Sequence, residues 1–102
     1  MYYTYMIRCK DNSLYTGMTD NVNKRFEKHS SGKGAKYTKS HQVERVEIAW
    51  RSKTKSLACK LEYHLKELTK KQKEEIINGE KLNTFLKGKI DARRYTKMPI
   101  EK

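Results

Sequence analysis

A mixed α/β chain, more narrowly α+β, with a central three-stranded antiparallel sheet flanked by helices, is predicted by three features of the sequence. Two aromatic and β-branched runs, 2–9 and 14–18, stand on either side of a polar turn cluster. A third run, Val43 to Trp50, follows much later. Between and after them lie helical spacings of apolar residues, the clearest being Leu57, Leu61, Leu65 and Leu68.

Taken in order, Tyr2 to Cys9 reads as a strand, Lys10-Asp11-Asn12-Ser13 as a turn, and Leu14 to Met18 as the returning strand of a hairpin. Alternate residues of a strand share a face, so Tyr3, Tyr5 and Ile7 point one way, and the turn brings Tyr5 toward Tyr15. Thr19 or Asp20 can cap a helix running to about Ser31. In it Val22 and Phe26 lie four apart and should dock on the sheet. Arg25 and His29 share a neighbouring face. Ser30 to His41 holds two glycines beyond that helix, three lysines and no acid, and reads as a mobile basic loop.

Val43 to Trp50 is expected as the third strand, with Val46, Ile48 and Trp50 on one side. The leucine stripe predicts a helix starting near Ser52 or Thr54. Thr69 to Ile77 predicts a short one ended by Asn78-Gly79. Residues 1–79 are therefore expected as the domain and 80–102 as a basic, partly ordered extension.

The 102 residues carry 24 Lys+Arg against 12 Asp+Glu, a net +12, and mean hydropathy is -1.04. Residues 33–71 alone hold eleven bases and four acids, a net +7. Such an excess favours a polyanionic partner, because each cation set against a phosphate releases condensed counterions. No apolar run approaches the roughly 20 residues that span a bilayer, and the N-terminus has no signal-peptide core. Cys9 and Cys59 are too few and scattered for a disulfide framework or zinc site, and read as reduced core residues of a cytoplasmic protein. A monomer is the default expectation.

Tyr3-Thr4-Tyr5, Tyr15-Thr16-Gly17, Asn21-x-x-x-Arg25, His29 and a helical Glu62 stand in an order that resembles the GIY-YIG nuclease superfamily. Within it the chain is most similar to the small stand-alone YhbQ/YazA-like (UPF0213-type) bacterial proteins. That similarity rests on Tyr3 to Cys9, Ser13 to Gly17 and Gly32 to Thr38, and runs over residues 2–77. The resemblance implies a metal-dependent endonuclease that hydrolyses phosphodiester bonds in DNA, as in DNA repair or recombination; a domain this small has little surface for long sequence-specific contacts, so single-stranded or structured DNA is the expected form. It implies Glu62 as ligand of Mg2+ (or Mn2+), Tyr5 or Tyr15 as the base, Arg25 as phosphate clamp and His29 as a further catalytic group. Met18 stands where some members have lysine, and Glu74 where others have asparagine.

The residue types suit that chemistry. Arginine's fork binds two phosphate oxygens at once. A carboxylate suits Mg2+, which keeps most of its waters. Tyrosine, with an ordinary pKa near 10, needs nearby cations to act as a base, and histidine can share the proton. Lys33, Lys36 and Lys39 are expected to hold a nucleic-acid backbone, with Tyr37 free to stack on a base. The alternative is a non-catalytic nucleic-acid-binding module on the same fold; a third reading is an adaptor that recruits a partner through 80–102.

Overall fold

The computed structural model describes residues 1–34 and 36–100, with the backbone alone at Thr38. Strands β1 (Tyr2–Cys9), β2 (Leu14–Thr19) and β3 (Val43–Ser52) form the antiparallel sheet, joined at its far edge by a short β4 (Thr96–Lys97) in the order β2-β1-β3-β4. The β1–β2 hairpin turns at Asn12, whose φ of 72° places an asparagine where a left-handed residue is needed. Helix α1 (Val22–Ser30) covers one face through Val22 and Phe26, which pack on Tyr5, Ile7, Cys9 and Ala49. Its cap is Asn21, one residue beyond Asp20: the Asn21 side chain accepts from the Lys24 N–H.

The opposite face carries α3 (Lys55–Lys66) and α4 (Lys70–Ile77). Met6, Ile48, Trp50, Leu61, Leu65 and Ile76 are buried there together, with Leu57 and Leu68 flanking. Thr4 Oγ1 anchors α3 by donating to the Ala58 carbonyl at 2.9 Å. Thr69 starts α4 with a capping box to Gln72.

Four further expectations are corrected. A bulge shifts the register between Met6↔Ile48 and Ile7↔Val46, so Val46 joins the α1 face while Ile48 and Trp50 face α3. The bulged residue, Glu47, turns its carboxylate onto Arg8 and Arg45. The basic loop closes into a short helix, α2 (Lys36–His41), with Ala35 outside the described residues. Cys9 is buried but Cys59 is exposed. Residues 80–100 also pack into the core instead of trailing from it. Helix α5 (Leu82–Leu86), a 3-10 turn at Ala92–Arg94 and β4 deliver Leu82, Leu86, Ile90 and Tyr95 to the α3 face. The Tyr95 hydroxyl fastens this segment to α3 by donating to the Leu57 carbonyl at 2.7 Å. Residues 101–102 lie outside the described residues.

Candidate active site

Strand register builds the site first. Tyr5 pairs with Gly17 across the hairpin, and Ile7 with Tyr15, so both tyrosines stand on the α1 face, diagonal to each other. Gly17 is required there by close approach. A Cβ at that position would lie 2.5 Å from the Tyr5 hydroxyl oxygen and 2.7 Å from Cζ, so only glycine lets the phenol lie across β2.

Helix α1 then lowers His29 onto this pair, one turn beyond Arg25. His29 is 2% exposed, and its Nε2 is 3.0 Å from the Tyr5 hydroxyl. The phenol donates when the ring proton is on Nδ1, and the imidazole donates when it is on Nε2. Tyr15 sits against the same imidazole at 5.3 Å between ring centroids. Gly34 admits the imidazole from the other side, since a Cβ there would overlap the His29 ring.

Burial sets the protonation of the pair. It pushes the Tyr5 phenol up to about 12, against the pull of Arg25 and helped by Tyr15 and Glu62. Burial also lowers His29 from its ordinary value, and the Arg25 charge adds to that. Both are therefore neutral at pH 7. Arg25 is half-buried and its guanidinium hydrogen-bonds the Tyr5 phenol, while its Nε has no hydrogen-bond partner among the described residues and is left as a charged donor there.

A family model described as the GIY-YIG catalytic domain matches residues 1–75, the segment that contains all of these groups. The chain belongs to the GIY-YIG family. It is 46% identical over 101 residues to a UPF0213 protein of Fusobacterium nucleatum, covering 99% of this chain and 96% of that one. It is 44% identical over 73 residues to the UPF0213 protein YazA of Bacillus subtilis, covering 72% and 74%. The solution NMR structure of a UPF0213 protein from Bacillus halodurans is 39% identical, covers 86% of this chain and 98% of that one, and superposes with a TM-score of 0.50.

In this GIY-YIG domain Glu62 lies on α3, half-buried, and holds Lys66 Nζ at 3.3 Å. Its charge is near enough to Tyr5 to oppose ionisation of the phenol. No group of three or more His, Cys, Asp or Glu able to hold a metal occurs among the described residues. A lone carboxylate fits a hard, hydrated cation such as Mg2+, which needs only one or two protein oxygens, and does not fit a zinc cage.

The remaining expected residues lie on one side of this group. Tyr37, 37% exposed on α2, stacks on Tyr15 at 5.9 Å and on His41 at 4.0 Å. His41 Nδ1 in turn meets the Asp11 carboxylate at 2.5 Å. Lys33, Lys36 and Lys39 are exposed around the same helix. Sequence reasoning misses His41 and Asp11; a histidine four residues after Tyr37 on a basic segment is the signal that points to a stack. Met18 is half-buried on β2. Glu74 is drawn away to Arg8, with both carboxylate oxygens 2.5 Å from guanidinium nitrogens.

Proposed function

We propose that this GIY-YIG domain is a divalent-metal-dependent endonuclease of the cytoplasm that hydrolyses phosphodiester bonds in DNA. One observation carries the reading: the buried Tyr5–His29 hydrogen bond, with Tyr15 against the same imidazole and the unpartnered Arg25 Nε beside them.

Hydrolysis needs a proton acceptor for water, charge stabilisation on the phosphoryl oxygens and help for the leaving oxygen. Tyr5, with its phenol near 12, keeps its proton at rest and orients the imidazole. Held neutral by burial and joined to the Tyr5 hydroxyl through Nε2, His29 can accept the phenol proton as the phenol oxygen takes one from water, so that the pair acts together as proton acceptor. Tyr15, half-buried where Tyr5 is fully buried, is the phenol better placed to orient that water. The water oxygen forms the new bond to phosphorus as the bond to the leaving oxygen breaks, and that oxygen takes a proton from solvent water. Arg25 offers its free donor to a phosphoryl oxygen. Glu62 would hold Mg2+ or Mn2+, which neutralises charge on the phosphoryl and leaving oxygens when bound. Its pairing with Lys66 is half-exposed and worth at most about 1 kcal/mol, so it yields readily to a cation. Lys33, Lys36, Lys39 and Tyr37 guide the strand, which favours single-stranded or branched DNA.

The test is end-labelled single-stranded and duplex DNA with Mg2+, Mn2+ or EDTA, beside Glu62→Ala. Metal-dependent cutting that vanishes in the variant is the expected result. One observation favours a non-catalytic binding module: Glu74, standing where other members have asparagine, is committed to Arg8. Binding that persists with no cutting in either protein would establish that module instead.

A further inference from the structure

A second cationic feature lies outside the tyrosine–histidine group. The β1–β2 turn, α2 and α4 enclose an open cleft of about 260 Å³ lined by Asp11, Ser13, Leu14, Tyr37, Lys70 and Lys73. Lys73 is half-buried and forms no ion pair among the described residues. Burial and then the nearby Lys66, itself paired with Glu62, both weaken its hold on a proton. Lys70 adds a third cation, held only loosely by Glu74 at 3.9 Å. The acid in the lining, Asp11, is already engaged by the Ser13 hydroxyl, the Ser13 N–H and His41.

The cleft also adjoins the candidate site by two separate routes. Tyr37 lines it and stacks on Tyr15. Lys66, the neighbour of Lys73, holds Glu62 at 3.3 Å. An anion in the cleft would relieve the lysine repulsion while lying next to the residues proposed to cut.

We infer that this cleft is a subsite for a backbone phosphate of single-stranded DNA, next to the phosphate that is cleaved. The inference deepens the nuclease reading and rests on it for the word "cleaved", but not for the phosphate. Lys73 and Lys70 hold the phosphate oxygens as point charges, and Tyr37, held by its stacks on Tyr15 and His41, walls the cleft on the side of the candidate site.

The experiment is binding of a labelled oligonucleotide of about 16 nucleotides, the upper end of single-strand site sizes, followed by fluorescence anisotropy over a salt series in EDTA. Wild type is compared with Lys70→Gln/Lys73→Gln, with Lys73→Arg, and with Lys87→Gln/Lys89→Gln, which removes the same charge from exposed positions elsewhere. In the first variant the slope of log K against log salt should fall by about 0.7 for each phosphate that is no longer neutralised. It should hold in Lys73→Arg and in the distant pair. Equal falls in the two double variants would reduce the effect to net charge and overturn the subsite. Inorganic phosphate that raises the Tm of wild type but not of the first variant, with DNA slopes unchanged, would assign the cleft to a free anion and also overturn it. Because EDTA removes turnover, the two readings fail separately. A protein whose slope falls in the first variant but which never cuts keeps the subsite and loses the nuclease. One that cuts with equal slopes loses only the subsite.

Discussion

Two arginines on opposite faces of the sheet, Arg8 and Arg25, have opposite surroundings. Arg8, 6% exposed at the edge of the α3–α4 face, is saturated: its nitrogens reach Glu47, Glu74 and the Asn12 carbonyl. Those carboxylates raise its pKa further. Arg25, on the α1 face, keeps a buried Nε with no partner among the described residues. A cation whose donors are all occupied holds β1, β3 and α4 together; a cation with a spare donor beside Tyr5 and His29 is the one the proposed reaction uses. The saturated ion pairs lie on one face and the proposed chemistry on the other.

The largest effect is expected at Arg8. Arg8→Ala leaves the buried Glu47 and the half-buried Glu74 without their shared counter-ion, at a cost of about 3–5 kcal/mol. A large fall in urea midpoint checks this. Arg25→Ala should do the reverse. Its stability should fall by only about 0.5–1.5 kcal/mol, because the Arg25 side chain forms no ion pair among the described residues and loses only its hydrogen bond to Tyr5, while cutting falls by about 10²–10³-fold. Equal effects of the two substitutions on stability and cutting would erase the distinction.

How far this division is legible in the sequence depends on the range of the interactions. The Tyr5–Tyr15 diagonal and the Arg25/His29 face follow from strand alternation, a short turn and helical spacing, all local rules, and the structure contains them. Arg8 looks like any strand cation in the sequence, because its partners are 39 and 66 residues away. The Glu47 bulge is hidden for a related reason: period-2 alternation carries no mark of an extra residue until the partner strand is aligned. Residues 80–100 read as an extension because Leu82, Leu86 and Ile90, though four apart, are interrupted by Gly88, and Tyr95 falls off their spacing. They are collected into the core by a helix, a turn and a strand in succession.

Gly17 tests the same division at intermediate scale. Gly17→Ala sets a methyl group against the Tyr5 hydroxyl, an overpacking of about 1–3 kcal/mol. Unlike a core substitution on the α3 face, it must act on the site directly, since Tyr5 cannot move without disturbing its bond to His29. Cutting should fall further than the loss of folded protein explains, measured at a temperature where both proteins are fully folded.

The smallest expected effect separates the two faces by pH. His29 has a folded pKa below its ordinary 6.5, so the unfolded chain takes up its proton first and stability declines as pH falls below about 6.5. The Arg8 network titrates lower. Burial pushes Glu47 up but Arg45 and Arg8 pull it below its ordinary 4.5, and the Arg8 hydrogen bond does the same for Glu74. The stability those carboxylates contribute is present above 4.5 and is lost as pH falls through their depressed values. Denaturant midpoints from pH 7 down to about 3 should therefore show two limbs, the upper one no steeper than about 1.4 kcal/mol per pH unit, the limit for one proton. His29→Gln removes the upper limb and leaves the lower, and cutting by wild type declines within the upper limb alone. A single limb below about pH 4.5 in both proteins would mean that His29 is not held neutral by its burial, and with it the proton acceptor proposed beside Tyr15 would be lost.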